Sequence, residues 1–177
     1  EDSEVLMAGF GGQGMLLAGK ILAQAAMHEG LEVSWLPSYG PEMRGGTAYC
    51  MVVVSERPIG SPIIRNPRHL VAMNRPSLEK FAGQVKPGGV ILVNSSLIDI
   101  NSGRSDVDEL RVPVNAIAVN LGSVRSANIV ALAAFVARSQ IVAIDTLRAC
   151  VETEFSKKKK LIPLNMAAVQ EGCKAAA

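Results

Sequence analysis

Val5-Leu6-Met7-Ala8-Gly9-Phe10-Gly11-Gly12-Gln13-Gly14-Met15-Leu16-Leu17-Ala18-Gly19-Lys20 is the stretch whose reading decides the fold. Its apolar run over residues 5–10 ends in glycines, as a central parallel strand covered on both faces does. Residues 15–27 are rich in Leu, Ala and Met and poor in β-branched side chains, which predicts a helix. Leu17, Ile21 and Ala25 form one apolar row on that helix and Ala18, Leu22 and Ala26 the next, so most of its circumference wants cover. Gly30 stops it, and residues 31–36 give a second strand, completing a strand–helix–strand unit for which a right-handed crossover is expected.

Working outward, residues 47–54 predict a third strand, residues 69–73 a fourth and residues 89–93 a fifth, with a short helix over 77–81. From Ser126 onward the pattern is helical. Residues 127–138, then 145–155 with Asp145 or Thr146 as N-cap, then 163–173 read as three helices. The expected architecture is α/β: a single Rossmann-like open sheet, mostly parallel, flanked by helices, with a helical C-terminal part, in one domain over residues 1–177.

Hydrophobic residues make up 49% and charged residues 19%, enough for a core and a surplus that hints at a buried interface. Net charge is only +2 and the basic residues are scattered apart from Lys157, Lys158, Lys159 and Lys160, so no phosphate-tracking stripe for nucleic acid is visible. The acidic start Glu1-Asp2-Ser3-Glu4 lacks the basic and apolar regions of a secretory signal, so cytoplasmic residence is expected. The apolar run over 129–137 falls short of the ~20 residues that span a bilayer, so no membrane partner is expected. Cys50, Cys150 and Cys173 have no CxxC pair and no histidine at ligand spacing, which predicts no disulfide, zinc site or iron–sulfur cluster.

Gly9, Gly11 and Gly14 satisfy GxGxxG directly after a strand and at the start of a helix, where the pattern has physical meaning. The first glycine permits a tight turn, the second a close approach by a ligand or another backbone, and the third tight packing of helix on strand. The free N–H groups of the helix attract anions. A dinucleotide also needs an acidic ribose reader at the end of the second strand, and Leu36-Pro37-Ser38 stands there instead. Three readings stay open: a dinucleotide site, a turn without ligand, and a turn facing a neighbouring subunit or a ligand shared with it.

A second loop, Ser38-Tyr39-Gly40-Pro41-Glu42-Met43-Arg44-Gly45-Gly46, is dense in Gly and Pro and sets one carboxylate, one guanidinium and one phenol close together. It starts at the carboxyl end of a strand, where ligands sit in open α/β sheets, although an internal Glu42–Arg44 pair that staples the loop is the plainer alternative. Asn94 closes the fifth strand at the same edge and serves either that site or a turn. His28 and His69 read as structural, and the lysine run as a solvated helix end.

With Leu16-Leu17-Ala18-Gly19-Lys20 after the glycine loop, Trp35 to the second loop, Ile59-Gly60-Ser61-Pro62, Ala72-Met73-Asn74-Arg75-Pro76-Ser77, Val93-Asn94-Ser95-Ser96, Leu121-Gly122 and Ala127-Asn128, the chain resembles the gamma subunit of 2-oxoacid:ferredoxin oxidoreductases. The likeness runs over residues 5–169, and its second loop is closer to the 2-oxoglutarate or branched-chain versions than to the pyruvate ones. The resemblance implies a subunit of an oxidoreductase that converts a 2-oxoacid, 2-oxoglutarate foremost, and coenzyme A to an acyl-CoA and carbon dioxide. Electrons go to ferredoxin. It also implies that thiamine diphosphate and Mg2+ lie on alpha and beta subunits and the iron–sulfur clusters on beta or a small delta subunit. This chain then binds no cofactor and has no catalytic residue of its own. Its candidate interface or cofactor-facing residues are Gly9, Gly11, Gly12, Gln13, Gly14, Ser38, Tyr39, Gly40, Pro41, Glu42, Met43, Arg44, Gly45, Gly46 and Asn94. The apolar helices over 15–27 and 129–135 are either sandwiched in the core or offered to those partners, and in isolation such a chain self-associates. The rival class is a stand-alone NAD(P)- or flavin-dependent oxidoreductase.

Overall fold

The structure, a computed structural model, describes residues 2–38 and 47–177. Six strands form one sheet: β1 (Ser3–Phe10), β2 (Glu32–Ser38), β3 (Thr47–Ser55), β4 (His69–Ala72), β5 (Val90–Asn94) and β6 (Asp108–Val112), in the order β2-β3-β1-β4-β5-β6. β1 pairs in parallel with β4, Leu6 opposite Leu70, and antiparallel with β3, Met7 opposite Cys50. The sheet is therefore mostly parallel with one reversed strand. Within the strand–helix–strand unit β3 inserts between β1 and β2, and β2 becomes an edge strand. After β1 the chain turns to one side of the sheet and after β4 to the other, which makes the carboxyl ends of β1 and β4 the switch point of an open α/β sheet.

Alternation sends β1 side chains to two cores. Val5 and Met7 join one with α1 (Met15–His28), α3 (Val114–Leu121), α4 (Ala127–Ser139), α5 (Ile144–Glu154) and α6 (Ile162–Ala175). Leu6 and Ala8 join the other with α2 (Arg75–Phe81), where Leu78, Phe81, Val85 and Ile98 cover the opposite face. Asn74 caps α2 by accepting the Ser77 N–H at 2.9 Å, and Pro76 sits in its first turn, where no helix donor is lost.

Residues 127–136 of α4 are all buried. This settles the two readings of the apolar helices: α4 is core, with α6 laid over it as an outer layer, and α1 buries Ala18, Ile21, Leu22, Ala25 and Ala26 within the chain. Each fully buried Leu, Ile or Phe here contributes roughly 1.5–3 kcal/mol. Small residues allow the close stacking. A Cβ on Gly172 would stand 2.5 Å from the Val130 carbonyl oxygen and 2.9 Å from the Ala133 Cβ.

β6 and α3 have no counterpart among the elements expected from sequence. The N-cap expectation for α5 is also corrected: the cap is Ala143, with no side-chain cap bond, and its N–H donates to Glu29 Oε2 at 2.8 Å, while Asp145 pairs with Arg148 in the first turn. Among the described residues no helix is long and apolar enough to cross a membrane.

His69 is structural. Its Nδ1 accepts the Val90 N–H at 3.0 Å, joining β4 to β5, and its ring meets Phe135 edge to face at 5.4 Å. Burial, aided by the Arg68 charge, pushes its pKa down from 6.5 to about 4. The neutral ring is the native form, so its contribution is complete above pH 6.5 and is lost as pH falls toward 4, because the unfolded chain binds the proton first. Stability measured by urea unfolding should decline across that window by on the order of 3 kcal/mol at most, and His69→Gln should remove this part of the acid limb. An acid limb identical in the variant would contradict the assignment. Gly172→Val should cost about 2 kcal/mol through overpacking of α6 on α4, read as a lower urea midpoint at unchanged slope. A wild-type midpoint would show that α6 can lift away freely.

Candidate functional site

The glycine loop lies at the switch point, and its geometry is set by one side chain. Gln13 Oε1 accepts the Phe10 N–H at 2.6 Å, while the Gln13 N–H donates to the Phe10 carbonyl at 3.1 Å, closing the turn on itself. Gly12 (φ 90) and Gly14 (φ 77) adopt left-handed conformations that side chains resist. Their surroundings differ. A Cβ on Gly12 would meet nothing within 4 Å, whereas one on Gly14 would stand 2.5 Å from the Asn128 side chain, whose Nδ2 donates to the Gly14 carbonyl at 3.3 Å. Gly9 has an ordinary φ, so the tight turn expected of it belongs to Gly12 and Gly14. Its missing Cβ instead leaves room for Gln13 Oε1 at 2.5 Å and Met73 Cβ at 2.9 Å.

The Met73 carbonyl at the end of β4 joins this loop to Asn94 at the end of β5. It receives Gln13 Nε2 at 3.4 Å and Asn94 Nδ2 at 3.1 Å. The second amide hydrogen of Asn94 goes to Asn115 Oδ1 at 2.8 Å, and its Oδ1 accepts the Ser96 and Val114 N–H groups, each at 3.2 Å. Gly9, Gln13, Gly14 and Asn94 therefore belong to one assembly, with Gly11 and Gly12 exposed at its outer turn. Ser38 closes β2 with β3 between it and β1, away from that network. Tyr39, Gly40, Pro41, Glu42, Met43, Arg44, Gly45 and Gly46 lie outside the described residues.

A cleft of about 290 Å3 opens here, lined by Gly12, Gln13, Gly14, Met73, Asn115, Val124, Arg125 and Ala127. Asn115, Val124 and Arg125 were missed in the sequence because α3 was missed; Pro113 before that helix and Gly122 after it were the available signal. Among the described residues Arg125 brings the charge to the cleft. α1 opens from Gly14 without a side-chain cap, and among the described residues the Arg125 guanidinium meets no carboxylate. Exposed Phe10, Leu97 and Val124 stand on segments that leave the same edge of the sheet. Nearby, Asn74 Nδ2 and Ser77 Oγ are buried with no hydrogen-bond partner among the described residues.

Among the described residues no acid–base pair lines the cleft, and the antiparallel β3 occupies the place beside β1 where a dinucleotide fold puts its ribose-binding strand. The thiols are equally unsuited to ligation. Burial pushes Cys50 up to about 12, its sulfur donating to the Met15 carbonyl at 3.4 Å, and burial also raises Cys150 and Cys173. Among the described residues no three His, Cys, Asp or Glu side chains are grouped to hold a metal. His28 and the lysines 157–160 are exposed on the surface.

Comparison with known proteins supplies the family. The model for "Pyruvate ferredoxin/flavodoxin oxidoreductase" matches residues 4–175. The ketoisovalerate oxidoreductase subunit VorA of Methanothermobacter marburgensis is 42% identical over 170 residues, covering 95% of this chain and 35% of that protein. This chain thus spans about a third of that relative's length. The 2-oxoglutarate synthase subunit KorC of Methanocaldococcus jannaschii is 36% identical over 153 residues, covering 84% of this chain and 81% of that one. The crystal structure of the keto/oxoacid ferredoxin oxidoreductase gamma subunit from Geobacter sulfurreducens superposes with a TM-score of 0.86 at 31% identity, covering 98% of each chain.

The glycine loop yields a graded test. Gly12→Ala should cost about 1 kcal/mol, the left-handed backbone penalty alone. Gly14→Ala should cost about 3 kcal/mol, because displacement of Asn128 adds to the same penalty. Urea unfolding of the two variants checks the difference, and equal losses would contradict the role given to Asn128.

Proposed function

The chain belongs to the pyruvate ferredoxin/flavodoxin oxidoreductase family, and from that premise we propose that it is the gamma subunit of a 2-oxoacid:ferredoxin oxidoreductase, active only with its partners. The complex joins a 2-oxoacid and coenzyme A into an acyl-CoA with release of carbon dioxide, and passes two electrons to ferredoxin. Thiamine diphosphate, Mg2+ and the iron–sulfur clusters belong to alpha, beta and delta-type partners. The observation that carries this reading is the carboxyl edge of the sheet: a cleft with Arg125 and Asn115 in its lining, exposed apolar side chains on the segments around it and, among the described residues, no acid–base pair. Such an edge suits docking rather than independent chemistry. The raised thiol pKa values and the scattered cysteines do not fit a cluster, so no electron-transfer step is routed through this chain. Cytoplasmic residence belongs to the same proposal, supported by Cys50, Cys150 and Cys173 all being free thiols.

For the substrate we keep 2-oxoglutarate, on the composition of the loop over residues 38–46 and the likeness to KorC. The 42% identity to VorA favours a second reading, a branched-chain 2-oxoacid such as ketoisovalerate. One assay separates them. The chain mixed with its alpha and beta partners should support 2-oxoacid- and coenzyme A-dependent reduction of a low-potential dye, with no turnover by the chain alone; the acid turned over with the higher kcat/KM names the substrate. Turnover by the isolated chain would overturn the subunit reading.

NADH or NADPH should leave the melting of the isolated chain unchanged. A dinucleotide at a hundred times its dissociation constant would stabilise the fold by about 2.7 kcal/mol, and a shift of that size would return the stand-alone dehydrogenase to first place.

A further inference from the structure

The amino edge of the sheet carries a hollow of its own. The end of α1, the end of α4, the start of α5 and Cys173 of α6 enclose about 590 Å3 there. β2 starts just after Glu29 and runs the same way as β1, both being antiparallel to β3, so this hollow lies at the end of the sheet away from the glycine loop. Buried Val136 and Val142 give its lining an apolar patch, and Glu29, Gln140 and Arg148 share that lining. Glu29 is held in place, its Oε2 accepting the Ala143 N–H at 2.8 Å, yet no cation pairs with it among the described residues. The Arg148 guanidinium reaches Asp145 at 2.9 Å, on the same helix and with the Asp145 side chain 95% exposed, a pair that water screens heavily. Two unlike charges therefore face one hollow, and among the described residues no ion pair joins them.

Gln140 gives an independent sign. With φ 55 it is the one non-glycine residue in the left-handed region among the described residues, and it ends α4, where glycine would be unstrained. Its side chain has no hydrogen-bond partner among the described residues. Strain kept at a cavity wall for a side chain the fold does not use points to a ligand contact.

We propose that this hollow binds a free α-amino acid with an aliphatic side chain: the ammonium meets Glu29, the carboxylate meets Arg148 and the Gln140 amide, and the side chain covers Val136 and Val142. The lining selects the class. A simple anion would meet the Glu29 charge, a simple amine would meet the Arg148 charge, and a zwitterion without an apolar body would leave the valine patch in water. The site goes beyond the subunit reading and does not depend on it.

The test titrates the full-length chain calorimetrically with L-leucine, L-valine and L-isoleucine, and follows maleimide modification of Cys173, the half-buried thiol in the same lining. At least one of the three should bind saturably, one molecule per chain, and slow the labelling of Cys173 about fivefold or more. Isocaproate, which lacks the ammonium, and isoamylamine, which lacks the carboxylate, should bind about tenfold or more weakly than leucine. Glu29→Gln, which keeps an acceptor for the Ala143 N–H, should abolish the preference for leucine over isocaproate. Arg148→Gln should abolish the preference over isoamylamine, and both variants should melt as the wild type does. Gln140→Gly relieves the left-handed strain, so it should raise the melting temperature while weakening binding about threefold; a purely structural Gln140 would leave binding unchanged, and that result removes it from the site and overturns the proposal. If Glu29→Gln melts early, Arg148→Gln and Gln140→Gly decide. No saturable binding of the three amino acids overturns the proposal, as does isocaproate binding as well as leucine, which would make the hollow an anion site. Binding that leaves the labelling of Cys173 unchanged places the amino acid elsewhere and overturns it too. Dye reduction by the reconstituted complex tests the subunit reading separately, so either can fail alone.

Discussion

β1 is paired along both edges, antiparallel to β3 and parallel to β4, and buried on both faces, so it has no freedom left. The chain must leave its carboxyl end on one side of the sheet, while the chain leaving β4 departs on the other. A crevice opens between the two departures, and everything that distinguishes this molecule is built around it. The glycines after β1 keep the crevice narrow, Gln13 closes the turn, and the Met73 carbonyl at the end of β4 receives amides from both sides. The outer helices cover α4, and the cleft beside Arg125 opens at the carboxyl edge.

Local pattern made much of this legible. The glycine-terminated β1, the Leu- and Ala-rich α1 stopped at Gly30, the β-rich β3 and the apolar α4 each announce themselves within a few residues of their observed bounds. What the sequence hid is non-local. Nothing in residues 47–54 says that their strand slides between β1 and β2, because strand order depends on pairings far apart in the chain. β6 was hidden for another reason: Asp108-Glu109-Leu110-Arg111-Val112 is short, lies at an edge and buries only Leu110 and Val112. α3 mixes Val, Ile and Asn, all weak helix formers, and only the flanking Pro113 and Gly122 mark it.

The site was legible in half. The glycine pattern and Asn94 pointed to the right edge of the sheet, since a strand–loop–helix junction is read locally. Asn115, Arg125 and Asn128 come from a distant part of the chain, and their relevance exists only once α3 and α4 return to the glycine loop. The grounds for partnership shift accordingly. Apolar helices looked like surfaces in search of cover, but α6 and its Gly172 supply that cover from within, and the case passes to the exposed edge around Phe10, Leu97 and Val124. A chain that matches about a third of the length of VorA and most of that of KorC is consistent with a module that keeps its own core and docks through one edge.

Amide hydrogen exchange of the chain, free and in its reconstituted complex, tests this most directly. The account predicts slowed exchange over residues 10–17, 95–98 and 114–126, at the carboxyl edge, with α5 and the lysine turn that follows it unchanged. Protection confined to α5, α6 and the lysine turn, with the glycine loop exchanging as in the free chain, would contradict it.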